Sequence, residues 1–126
     1  MLWMTTVFAA DLLVQVRGLD SDLGQVRCAL YDSADAWLEP EGVVASVDAT
    51  PVGGSAACRF SGVSPGRYAV SVLHDANLSG DMDWTLLGLP KESWGVSRDA
   101  PATLSRPRFE AAAFVHDGRI HVIHVR

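Results

Sequence analysis

The sequence predicts an all-β sandwich of about seven strands. Three observations carry this. Short runs rich in Val, Leu, Tyr and Phe recur along the chain. Turn signals separate them every 8–12 residues or so. No segment shows the apolar spacing of a long amphipathic helix. With 126 residues, the chain is long enough for one domain and too short for two. We expect that domain over 11–126. The first ten residues, Met1 to Ala10, are apolar and uncharged. Two readings stand for them: the remnant of a secretory signal peptide, or a disordered or strand-forming N-terminus.

Leu12 to Arg17 is the first expected strand, stopped by Gly18, and Asp20 to Gly24 is a turn cluster. Gln25 to Tyr31 is the second strand, ending at Asp32 and Ser33. Ala34 to Gly42 reads as a connecting loop with room for one helical turn, its Trp37 and Leu38 folding back on the core edge. Val43 to Ala49 is a short β segment, Pro51 to Ser55 a loop, and Ala56 to Phe60 a strand. Ser61 to Gly66 forms a tight turn, because Pro65 presets φ and Gly66 tolerates positive φ. Arg67 to His74 is the clearest strand, with Tyr68, Val70 and Val72 on one face and Ala69, Ser71 and Leu73 on the other. The stretch from Asp75 to Pro107 reads as one long loop, ordered by Trp84, Leu86, Leu87 and Trp94. Phe109–His116 and Arg119–Val125 then read as a hairpin across Asp117-Gly118.

The two cysteines, Cys28 and Cys58, fall on the more apolar faces of their strands. A bridge between them would contribute about 3–4 kcal/mol in the chain-entropy picture. The other reading is a pair of buried free thiols acting as small hydrophobes. Export would favour the bridge.

Composition excludes some functions. The net charge is -5, and the ten Lys and Arg are scattered, so an electrostatic grip on nucleic acid is not expected. No apolar run reaches the length of a membrane-spanning helix.

The chemistry concentrates between His74 and Ser97. Asp75, Asn77, Ser79, Asp81 and Asp83 place an oxygen-bearing side chain at every second position, with Gly80 among them. A turn alone does not need that regularity, whereas a hard cation such as calcium gathers six to eight oxygens from a loop. On an EF-hand-type loop these residues take positions 1, 3, 5, 7 and 9 and Gly80 takes 6, but position 12 is Leu86 instead of a bidentate Glu. Glu92 is the nearest substitute. The competing account is a loop held by Asx turns. His74 reads as a neutral imidazole bonded to a neighbouring carboxylate. Lys91 and Glu92 read as a surface or loop-tethering ion pair of small energetic weight. His116, His121 and His124 lie on the last two segments, too few on one face for zinc.

The segment from Phe60 to Val70 resembles the strand-turn-strand element of immunoglobulin-like and prealbumin-like bacterial surface modules. The run Tyr68-Ala-Val-Ser-Val-Leu-His-Asp-Ala-Asn77, with Gly80, Asp83, Leu87 to Glu92, Gly95 and Ser97, is similar to a family of uncharacterised, mostly exported bacterial domains of unknown function. That resemblance implies a β-sandwich in the periplasm or outside the cell, and it implies no activity. The chain departs from the family pattern at Ser79, Ser93 and Trp94, and Ser79 is the departure that weakens cation binding.

Two functions follow from this reading. The first is a non-catalytic exported module whose loop at 75–83 binds a cation, while the 75–107 stretch offers Trp84 and Trp94 to a carbohydrate or a cell-surface protein. Packing of those tryptophans onto the sandwich is the plainer account. The second is a small hydrolase using Asp75, Asp81, Asp83 and Glu92. No Gly-x-Ser-x-Gly elbow or phosphate-cradling glycine loop is present.

Overall fold

A computed structural model describes residues 9–76, 93–101 and 107–125. Eight strands occur among them: β1 (Ala10–Arg17), β2 (Gln25–Tyr31), β3 (Ala45–Ala49), β4 (Ser55–Val63), β5 (Arg67–Asp75), β6 (Trp94–Val96), β7 (Phe114–Val115) and β8 (Ile120–His124). One short helix, α1, spans Phe109–Ala112, and single 3-10 turns occupy Pro40–Gly42 and Ser97–Asp99. The strands form two sheets. One has the order β4-β1-β8; the other runs β3-β2-β5-β6, with β7 also on β5. Because β2 lines one edge of β5, β6 and β7 share the other, β6 opposite Ser71–Leu73 and β7 opposite Arg67–Tyr68.

The alternation in sequence dictates this packing. Leu12, Val14 and Val16 from β1, Ala56, Cys58 and Phe60 from β4, Val26, Cys28 and Leu30 from β2, and Tyr68, Val70 and Val72 from β5 meet between the sheets in one core. The two sulfurs are bonded across it, with the Cα atoms 6.5 Å apart.

The larger sheet is covered on its other face as well. Ala29, Tyr31, Ala69, Val96, Trp37, Leu38, Phe109, Ala112 and Ala113 form a second core there. Trp37 anchors it: its ring meets Tyr31 and Phe109 edge-on, and its indole N–H donates to the Pro107 carbonyl at 2.8 Å. As a result β5 is buried from Tyr68 to Asp75.

Three sequence expectations are corrected. The turn after Phe60 does not span Ser61–Gly66: Ser61–Val63 continue β4, and the positive φ, 60°, falls on Gly62 and not on Gly66. The segment from Asp75 to Pro107 is not one loop, since Trp94–Val96 is a strand and Ser97–Asp99 a 3-10 turn. The final hairpin does not form. Phe109–Ala112 is helical, with Phe109 and Ala112 buried on its inner side. β7 then pairs antiparallel with β5, while β8 pairs parallel with β1 in the other sheet. The Asp117-Gly118 turn is real: Gly118 has φ of 87°, and the Arg119 N–H donates to the Asp117 carboxylate. Its chemistry reverses the chain without choosing the partner strand. Phe114 and His121 meet ring against ring at 3.9 Å, through side chains packed between elements of different sheets.

Candidate functional site

The signature segment begins where β5 ends. His74 and Asp75 are its last two residues and are buried, at 4% and 7% exposure. The His74 backbone N–H donates to the Ser93 carbonyl at 2.9 Å. Its ring Nε2 lies 2.8 Å from the Leu23 carbonyl. A carbonyl only accepts, so Nε2 carries the proton. The Ser93 hydroxyl in turn donates to the Asp20 carboxylate at 3.2 Å.

The β1–β2 turn supports this arrangement from below. Gly24 has φ of 69°, and a Cβ there would lie 2.7 Å from the Ala76 Cα and collide with the Asp75 carbonyl, so only glycine allows the approach. Asp22 receives the N–H groups of Gly53 and Gly54 at 2.8 and 2.7 Å. Those two bonds hold its carboxyl below the usual carboxylate range, with a smaller pull from His74.

Beyond Ser93 the same economy continues. Gly95 is buried opposite Val72, and a Cβ there would stand 2.8 Å from the His124 carbonyl and 3.0 Å from the Ile123 side chain. Its bare backbone lets β6 lie against β8. Ser97 is fully buried; its hydroxyl accepts the Val70 N–H at 3.0 Å and donates to the Ala112 carbonyl at 2.6 Å. Asp99, with φ of 47°, accepts both the backbone N–H and the ring Nδ1–H of His124 at 2.8 Å.

The predicted site residues divide accordingly. Asp75 stands in the ladder opposite Gln25. Asn77, Ser79, Asp81, Asp83, Trp84, Lys91 and Glu92 lie outside the described residues. Trp94 opens β6 opposite Leu73 and is half-buried against the second core. Among the described residues, no group of three or more His, Cys, Asp or Glu is placed to hold a metal. No helix among them is long and apolar enough to cross a membrane. The functions of Gly95 and Ser97 were not legible from residue chemistry; their place in the Gly-x-Ser run was the available signal.

A shallow cleft of about 740 Å³ opens elsewhere, between the edges of the two sheets, lined by Gln15, Arg17, Asp48, Thr50 and Ser55 among others. Asp75 does not line it. Its polar groups are largely engaged: Asp48 pairs with Arg27 at 2.9 Å, and Arg17 donates to Gln15. It brings together no nucleophile, base and orienting group.

A family model described as uncharacterized protein conserved in bacteria (DUF2141) matches residues 14–123. The chain belongs to this family. The match runs from inside β1 to inside β8, so it takes in both sheets and both ends of the signature segment. Neither the curated proteins nor the solved structures contain a match.

Proposed function

We propose that this family member is a non-catalytic, exported β-sandwich module that binds a calcium-class cation through 75–83 and meets a carbohydrate or cell-surface protein through the 75–107 stretch. The supporting observation is the clamp. The His74 N–H to Ser93 carbonyl bond joins the two ends of the signature segment, and Leu23, Gly24 and Asp20 brace that junction. A fixed base suits ligand presentation, because less conformational entropy is lost when the ligand binds. The alternating oxygens of Asp75, Asn77, Ser79, Asp81 and Asp83 supply the chemistry for a hard cation. The core disulfide fits an oxidising compartment, and hence export to the periplasm or beyond. Trp84 is the aromatic offered to the partner, since Trp94 is half-buried in the second core.

The test is thermal unfolding with calcium against chelator, on the wild type and on an Asp81→Asn/Asp83→Asn double variant. Asp75 is left intact because it is buried in the β5 ladder. Calcium at ten times its Kd stabilises the folded form by about 1.4 kcal/mol, which raises Tm by about 5 °C for a domain of this size. The wild type is expected to show that rise and the double variant to lose it. No rise in the wild type at millimolar calcium removes the cation from the reading.

A further inference from the structure

His116 and His121 flank the point where the chain leaves one sheet for the other. β7 ends against β5, the Asp117-Gly118 turn follows, and β8 begins against β1. His116 is 7% exposed, and its Nε2 lies 2.9 Å from the Ala10 carbonyl, which places the proton on Nε2. Its Nδ1 is therefore a bare acceptor, and it is buried with no partner among the described residues. His121 lies against the Phe114 ring, and its Nε2 is likewise buried and unpartnered. A protonated His121 ring carries a buried N–H at Nε2 with no acceptor beside it among the described residues, and buried charge without a partner is costly.

The surroundings offer little relief. Burial is the largest cause holding the His121 pKa below the ordinary imidazole value, and His116 and Arg119 push the same way. Asp117 pulls upward but is itself paired with Arg119 at 2.9 Å. On β1 the register partner is Val14, between Leu13 and Gln15. On β5, Tyr68 faces His116 edge-on, and the Arg67 guanidinium is drawn over Phe109. Among the described residues β8 is the edge of its sheet and pairs with β1, while its last residue, His124, is held by the Asp99 carboxylate of the Ser97–Asp99 turn.

We propose that His121, packed against the Phe114 ring, is an acid-sensitive latch on the C-terminal strand: proton uptake at this ring frees β8 from β1 while the other strands stay paired. A histidine whose folded pKa is lowered leaves stability intact above the ordinary value near 6.5 and erodes it as pH falls below that.

Hydrogen exchange read strand by strand, at about pH 7.5 and pH 5 and corrected for intrinsic rates, tests this. Amides of 120–124 are expected to exchange faster at the lower pH, with β2 and β5 unchanged. His121→Phe is expected to remove the difference. A ring-proton NMR titration of the wild type reads the same group without any substitution. Uniform acceleration across all strands, an undiminished β8 effect in His121→Phe, or a His121 midpoint at or above the ordinary value would each overturn the latch.

Discussion

Ser97 shows how much one hydroxyl can hold. It joins β5 to α1 by accepting from Val70 and donating to Ala112, with no exposed surface. Its neighbours Arg98 and Asp99 both sit at positive φ, 59° and 47°, a conformation that L residues adopt at some cost. The Asp99 carboxylate offsets that cost by binding His124 twice. Ser97→Ala strands a buried N–H and a buried carbonyl together. At about 1–3 kcal/mol for each unsatisfied group, the variant is expected to lose roughly 2–6 kcal/mol in chemical denaturation. A loss within about 0.5 kcal/mol, the usual range of a surface substitution, would show that those two groups find other partners.

Among elements, the β1–β2 and β3–β4 turns are tied by Asp22, whose carboxylate spans the N–H groups of Gly53 and Gly54. The side chain is exposed, so the bonds act through geometry more than through field strength. Because the folded pKa lies below the ordinary 3.8, the contribution is complete above that value and is lost as pH falls through the lowered one. Wild type and Asp22→Asn are therefore expected to differ in Tm at neutral pH and to converge as pH falls below 3.8. Thermal scans across that range decide it, and a constant gap would mean that ionisation of Asp22 is irrelevant. The same turn carries Gly24, so loosening it also disturbs the support under Asp75.

At the scale of the molecule, two cores among the described residues share one sheet. The inner core lies between the sheets and holds the Cys28–Cys58 bridge; the outer one, built on Trp37, covers the opposite face of β2 and β5. The bridge joins β2 of one sheet to β4 of the other across a separation of 30 residues. Reduction is expected to lower stability by about 3–4 kcal/mol and Tm by about 10–15 °C. Alkylation of the unfolded, unreduced protein followed by mass spectrometry should find no free thiol. Two alkylated cysteines would overturn the bridge.

The period-2 runs at Gln25–Tyr31, Ala56–Phe60 and Arg67–His74 determined the β class, the inward cysteines and the division of faces, because alternation along a strand is a local property. The oxygen-rich run from Asp75 to Asp83 was equally legible as chemistry, and its place beside a clamped junction was not. Tertiary structure alone decided that Trp94–Val96 and Phe114–Val115 would share an edge of β5, that β8 would run parallel to β1, and that Ser97 would become a buried tie. The turn at Asp117-Gly118 carries the reason. Turn residues specify how a chain reverses, but the partner strand is chosen by where apolar surface can be buried, and for Ile123 and Val125 that place lay in the other sheet.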